Sequence, residues 1–457
     1  IGSLFNVVDP REINKYQKIA MERSRLHIPI LFGLDVIHGF KTEFPIPLGL
    51  ASTWDPSIVE SASRVAAMEA AAGGIRWTFS PMVDIARDAR WGRMAEGAGE
   101  DPYLGSAMAA AYVRGYQGSR LDAPDSILAC AKHYVGYGAA EGGRDYNSTE
   151  ISEHTLRQFY MPPFRAAEQA GSASFMSAFN SLNGIPSSAN PFTLKQVLRQ
   201  EWGFRGLVVS DWNAVGELIA QGIAIDGATA AKKAFRAGVD MDMVSSLYHD
   251  NLQELVKSGQ VKQAELDEAV RHVLRVKLAL GLFEQPYVDE RATTQAFHHP
   301  ESLALAQTAA EQSFVLLKNG NGPDAKALLP LPAAGQNIAV IGPLAEISWV
   351  PGGAPQGAGE PRTSLPAALA QRVGQSHVAT LKGVGILDGT DEEIAQAVAG
   401  AQKADVVILT LGESGEMSGE AASRAHLGLP GRQQELLEAI VRLSLIHISE
   451  PTRQAEI

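Results

Sequence analysis

The chain is 457 residues long, 45% hydrophobic and 20% charged, with 39 basic against 51 acidic side chains and a formal net charge of −12. That length exceeds what one core usually holds and predicts two domains, one large and one smaller, while no apolar run reaches the roughly 18 residues a membrane span needs. The acidic balance repels polyphosphates and offers no basic stripe to nucleic acid, and the single cysteine, Cys130, excludes an internal disulfide and any multi-cysteine zinc or iron–sulfur site.

From the start to about residue 285, short apolar runs alternate with helical patterns, as βα units around a parallel sheet require. The chain opens on strand-like Ile1, Leu4, Phe5, Val7 and Val8. There follow, in order, a strand at 28–34, a helix at 56–72, a strand at 78–83, a helix at 104–117, a strand at 127–132 and a helix at 153–169. Strands at 173–179, 207–210 and 238–243 come next, with a short eighth candidate at 223–225. In the helix predicted at 264–280, Leu266, Val270, Val273, Leu274 and Leu278 recur at helical spacing, and Gly281 stops it. The fold expected for residues 1–285 is α/β, a (β/α)8 TIM-like barrel. Residues 286–300, with Pro286 and Pro300, lack periodicity and read as a linker.

A second βα pattern covers 301–443: a helix at 301–312, strands at 314–318, 338–341 and 406–411, a helix at 392–402 and a helical pattern at 431–443. It reads as an incomplete open α/β sheet. The Gly-rich stretch 352–359 reads as a loop, since no Gly-Lys-Ser/Thr ending marks it as a phosphate cradle. Residues 444–457 resemble a translated sequencing-adapter sequence and are set aside as non-native. Ile1 is no initiator, so a leader could precede it.

In such a barrel the chemistry is expected where strands end. The second strand ends at Asp35, the fourth at Lys132-His133, and the sixth at Asp211, after the core-like Leu207-Val-Val-Ser210. Converging such groups on one mouth costs several kcal/mol each unless they pair with one another or with a ligand, which suggests a hydroxyl-rich partner. Plainer roles exist for each. Asp35 and Asp211 could cap helices, and Lys132 and His133 could form a salt-bridged rim. The run Arg87, Asp88, Arg90, Arg93, Glu96, Glu100, Asp101 could be a solvated ion-pair network. Trp212 is either core or an aromatic wall beside a sugar ring. In the second domain Glu413, Glu416 and Glu420 occupy a Gly- and Ser-rich loop, where any of them could supply a proton or merely keep the loop soluble. A metal hydrolase finds no support, because no His-x-His or His-Glu-x-x-His occurs among the 11 histidines.

The strings Gly33-Leu-Asp-Val-Ile-His-Gly39, Arg87-Asp-Ala-Arg-Trp-Gly-Arg93 with Glu96 and Glu100-Asp101, Ala131-Lys-His133 and Val209-Ser-Asp-Trp212 resemble glycoside hydrolase family 3, in particular its periplasmic β-glucosidase branch. The resemblance runs from about residue 1 to 443. It implies a barrel followed by an α/β sandwich, with Asp211 as nucleophile. Asp35, Arg93, Lys132 and His133 would bind hydroxyls of the non-reducing-end sugar, with Asp145 a further candidate. The loop Gly419-Glu-Ala-Ala-Ser-Arg424 resembles the one whose glutamate is the acid/base, which points to Glu420.

The implied activity is a retaining, exo-acting, cofactor-free β-glycosidase acting on β-glucosides or short β-linked oligosaccharides, its two carboxylates standing roughly 5 to 5.5 Å apart. A β-xylosidase or a catalytically impaired sugar-binding fragment are the alternatives, and the resemblance implies a periplasmic or secreted location. The single-domain N-acetylglucosaminidase branch fits poorly: Lys132-His-Tyr-Val-Gly-Tyr-Gly138 has Tyr137 where that branch carries a second histidine.

Overall fold

Six short parallel strands wind round the first part of the molecule. In the computed structural model, which describes residues 2–291, 295–319, 327–332, 335–347 and 363–443, β1 (Ser3–Phe5), β2 (Leu31–Leu34) and β3 (Trp77–Thr78) pair in parallel. Bridges from Trp77 to Leu128 and from Met82 to Lys132 carry the pairing on to β4 (Cys130–Tyr134) and β5 (Ser174–Ser177). A two-stranded hairpin, β6 (Ser181–Leu182) and β7 (Ile185–Pro186), precedes β8 (Leu207–Ser210), which pairs with β5. Val209 then bridges Met241, and the Ser3 hydroxyl meets the Met241 sulfur at 3.3 Å, which returns the ring to β1. The result is a TIM-like barrel. The Gly-rich stretch 352–359 and the tail 444–457 lie outside the described residues.

The two-residue period of a strand decides what this barrel holds. Leu31 on β2, Leu128 and Cys130 at β4, and Leu207 and Val209 on β8 fill one buried apolar cluster with Trp77, Phe79 and Met176. Their neighbours Phe32, Ala129, Ala131 and Val208 face the other way, into a larger core shared with the surrounding helices. Continuing the inner parity, from Leu31 through Gly33, from Cys130 and from Val209, gives Asp35, Lys132 and Asp211. The strand period that packs apolar side chains inside thus sets three ionisable ones at the mouth.

The helices start where the sequence supplies caps. Pro10–Arg23, Pro56–Ala72 and Pro102–Gln117 each begin with Asp-Pro, the carboxylates of Asp9, Asp55 and Asp101 accepting from Arg11, Ser57 and Leu104 N–H. The cap moves the start expected at 104 back to Pro102. The helix predicted at 153–169 is interrupted: Pro162 and Pro163 cannot continue it from within, and the preceding turn widens so that Met161 N–H reaches Leu156 O at 2.9 Å. No strand forms at 223–225, because Ile223 and Ala224 N–H both turn back to Leu218 O and close the helix Ala214–Ala220.

Residues through Ser313 form one compact unit and those from Phe314 another. The helix Pro300–Ser313, which periodicity assigns to the second domain, belongs to the first: Ala309 is buried in its core, and Ser52 donates to Ser313 O at 2.8 Å. The stretch expected as a linker is likewise docked on the first unit, Val288 N–H and C=O both bonded to Asn14.

In the second unit, β9 (Ile338–Ile341) lies between β10 (Val378–Leu381) and β11 (Val406–Leu409), all parallel. One face packs Ala339 and Ile341 on the helices Asp391–Ala401 and Gln433–Val441; the other sets Ile338 and Val340 against Leu369 and Val373 of Leu365–Val373. Helices on both faces make it an α/β sandwich. The strand predicted at 314–318 does not form, and Phe314 is exposed. β10 takes its place in the sheet.

Candidate active site

Three ion pairs meet at the carboxyl ends of the barrel strands. Lys132 Nζ lies 2.7 Å from Asp35 Oδ1, the lysine buried and the aspartate half exposed. Arg93 and Glu96, three residues apart on one short turn, form a two-pronged buried pair at 2.9 and 3.0 Å. His133 sits between two aspartates: Asp84 Oδ2 is 2.8 Å from Nδ1, and Asp211 Oδ2 is 3.6 Å from Nε2. Asp84 Oδ2 also accepts the His133 backbone N–H at 2.8 Å.

Electrostatics tie these pairs into one cluster. Burial would lower the Lys132 ammonium, but Asp35 and Glu96 outweigh it and hold the group above its ordinary range. Burial likewise raises Glu96, yet the Arg93 guanidinium brings it below the ordinary carboxylate range. Asp84 goes the other way: burial pushes it up to about 8 against the pull of the His133 N–H and of Arg93. The His133 ring falls well below its ordinary value through burial and the nearby cations Arg93 and Lys132.

Asp211 follows β8 directly and is 8% exposed, at the barrel mouth. It does not cap the next helix. The carboxylate accepts from its neighbour's N–H, Trp212, at 2.7 Å, and the helix Ala214–Ala220 starts at Asn213 with no side-chain cap. Trp212 is half exposed, its ring edge-on to Phe5 at 5.5 Å, so it stands at the surface beside Asp211 and not in the core. Asp145 Oδ1 accepts from Trp91 Nε1 at 2.8 Å. Trp91 packs edge-on to Tyr137, whose ring lies under Arg93 and against His133. The residue that replaces a histidine in the Lys132–Gly138 string is thus a buried floor beneath the cation. Gly138 keeps this loop tight, since a Cβ there would meet Ile85 O at 2.2 Å.

The structure therefore gathers Asp35, Arg93, Lys132, His133 and Asp211, with Trp212 beside the last and Asp145 joined through Trp91. The charged run 87–101 is split: Arg93 and Glu96 are buried in the site, whereas Arg87, Glu100 and Asp101 are exposed and Asp88 pairs with Arg90 near the surface. Asp84 is absent from the sequence reading, although the signal was there. It ends the third strand segment just as Asp35 and Asp211 end theirs.

In the second unit the loop after β11 holds the three glutamates. Glu413 is paired with the buried Arg424, while Glu416 and Glu420 are exposed. Chemically, the barrel mouth offers an accessible carboxylate, charged groups able to hold hydroxyls, and a flanking indole.

Two family models match the chain: the glycosyl hydrolase family 3 N terminal domain over residues 1–276 and the C-terminal domain of the same family over 314–445. The periplasmic beta-glucosidase of Salmonella typhimurium is 41% identical over 96% of this chain and 60% of its own length. A beta-xylosidase of Formosa agariphila is 35% identical over 92% of this chain and 62% of its own. A crystal structure of a beta-glucosidase from Listeria innocua in complex with glucose superimposes with a TM-score of 0.92 at 38% identity, covering 97% of this chain and 61% of that one. The chain thus spans about three fifths of the proteins it matches.

Proposed function

The chain belongs to glycosyl hydrolase family 3, and on that premise we propose that it is a retaining, exo-acting β-glycosidase that releases terminal β-D-glucosyl residues from β-glucosides or short β-linked oligosaccharides. Asp211 is the nucleophile: its carboxylate attacks the anomeric carbon as the glycosidic bond breaks, and water then releases the sugar from the covalent glycosyl-aspartate. Glu420 protonates the leaving oxygen and afterwards takes a proton from the water. Lys132, Arg93, His133, Asp35 and Asp145 hold sugar hydroxyls, and Trp212 stacks beside the ring.

The observation that carries this reading is the placement of Asp211. It closes an apolar strand at the barrel mouth and stands beside groups already neutralised in pairs, so a sugar can dock without stranding a further buried charge. Asp35 gives one oxygen to Lys132 and is half exposed. That leaves it able to accept from hydroxyls far from the reacting carbon, which favours glucose over the xylose named for the Formosa relative. The name of the Salmonella relative supports a periplasmic location; among the described residues no helix is long and apolar enough to cross a membrane.

The test is Asp211→Asn, assayed by nitrophenol release from an aryl β-glucoside. The substitution keeps shape and removes the nucleophile, so turnover should fall by about three orders of magnitude or more. Near-normal turnover would remove Asp211 from the mechanism.

A further inference from the structure

We propose that Asp84 is a positioning residue for this chemistry: through the proton it shares with His133 Nδ1 it holds that ring with a hydrogen on Nε2, directed at Asp211. The inference rests on Asp211 being the nucleophile.

The geometry leaves the ring little freedom. A single oxygen, Asp84 Oδ2, contacts both the backbone N–H and Nδ1 of His133, at 2.8 Å each, and both residues are buried. The other oxygen, Oδ1, has no hydrogen-bond partner among the described residues. Asp84 also lines a cavity of about 10 Å³, bounded mainly by apolar groups, among them Met82, Ile85, Met108 and Ala109. Such a wall is poor surroundings for a full negative charge.

The pair can hold its protons in three ways. With two protons it is either protonated Asp84 beside a neutral ring or ionised Asp84 beside an imidazolium. These differ only in which side of the 2.8 Å contact the shared proton occupies, and in both Nε2 bears a hydrogen. With one proton, Nδ1–H faces an ionised Asp84 and a bare Nε2 faces Asp211 Oδ2 at 3.6 Å, lone pair toward lone pair.

The charged and titratable neighbours on the surrounding elements are Arg93 and Glu96, Lys132 and Asp35, and Asp211, with Tyr137 packed on the ring and Tyr112 lining the cavity. The first four cancel in pairs. Among the described residues Asp211 is the carboxylate that faces Nε2, at 3.6 Å, and it favours the arrangements with a hydrogen there. Burial, which pushes Asp84 up to about 8 and the ring downward, puts the shared proton on the carboxyl side. His133 is thereby a fixed N–H donor beside the nucleophile, available to its carboxylate or to a sugar hydroxyl next to it.

Asp84→Asn tests this on the full chain. The His133 backbone N–H needs an acceptor where Oδ2 stands, so the amide oxygen takes that place. It brings no proton, Nδ1 must then carry the hydrogen, and Nε2 is left bare toward Asp211. The direct readout is ¹⁵N NMR of histidine-labelled protein near neutral pH, with His133 assigned by the signal lost in His133→Gln. A hydrogen on Nε2 in the wild type, moved to Nδ1 in Asp84→Asn, is expected; a bare Nε2 in the wild type overturns the proposal, and needs no variant to fold. The second readout is kinetic: kcat on an aryl β-glucoside should fall about 100-fold or more in Asp84→Asn, and an unchanged kcat also overturns it. A wild type without turnover would instead count against the glycosidase reading, and the NMR result would stand by itself.

Discussion

The pair Asp84–His133 titrates as a unit, and counting its protons gives the sign of its effect on stability. In the fold Asp84 stands at about 8 against an ordinary 3.8, and His133 falls well below 6.5. Between about pH 4 and 6.5 the folded pair holds its proton on the aspartate and the unfolded chain holds one on the histidine, so the counts match and stability is flat. From about pH 6.5 to 8 the unfolded histidine has lost its proton while folded Asp84 keeps one. Stability therefore falls as pH rises through that window, by up to about 2 kcal/mol. Asp84→Asn lacks the raised carboxyl and with it this slope. The difference in unfolding free energy between wild type and Asp84→Asn, from chemical denaturation, should shift by that amount, against the wild type, between pH 6.5 and 8. A gap that stays constant would mean Asp84 is ionised in the fold.

At the scale of elements, the helices Pro56–Ala72 and Pro102–Gln117 pack closely, and small residues are the reason. A Cβ on Gly115 would lie 2.4 Å from Glu60 O and 2.3 Å from the Ser63 hydroxyl. The backbone carbonyl cannot move without the whole helix. On the same helix, a Cβ on Gly105 would meet the tip of the Ile85 side chain at 2.9 Å and the Pro163 ring at 3.4 Å, side-chain atoms beside a small cavity and no backbone. Alanine raises helix propensity at both positions by about 1 kcal/mol. Overpacking should outweigh that at Gly115, for a net loss of about 2 kcal/mol, and leave Gly105→Ala near neutral. Chemical denaturation followed by circular dichroism decides it, and equal effects at both sites would refute the backbone argument.

The same elements show what the sequence made legible. The helix pattern at 56–72 matched Pro56–Ala72, whose start the structure shows capped by Asp55, and Ile338–Ile341, buried on both faces, stood out as a continuous apolar run. β10 did not, because Val378–Leu381 is a short edge strand with an exposed middle. The 314–318 run misled for the opposite reason, being apolar without a partner among the described strands. In the site, strand-end logic reached Asp35, Lys132, His133 and Asp211. The same logic applied to the strand predicted at 78–83 reaches Asp84, although only Trp77–Thr78 and a single bridge at Met82 form there.

For the molecule as a whole, the question is where the proton for the leaving oxygen comes from. Among the described residues of the first unit, the acids near the site besides Asp211 have partners: Asp35 with Lys132, Glu96 with Arg93, Asp145 with Trp91, and Asp84 with His133. The second unit offers the loop after β11, where Glu413 is held by Arg424 and Glu416 and Glu420 are exposed. If Glu420 is the acid/base, Glu420→Ala should turn over an aryl glycoside with a good leaving group to the covalent stage and stall there, because water then lacks its base. Azide, which needs no such help, should restore the rate by about 10-fold or more and yield a β-glycosyl azide. Rescue in Glu416→Ala or Glu413→Ala, with none in Glu420→Ala, would move the role along the loop. No rescue in any of the three would place the acid outside it.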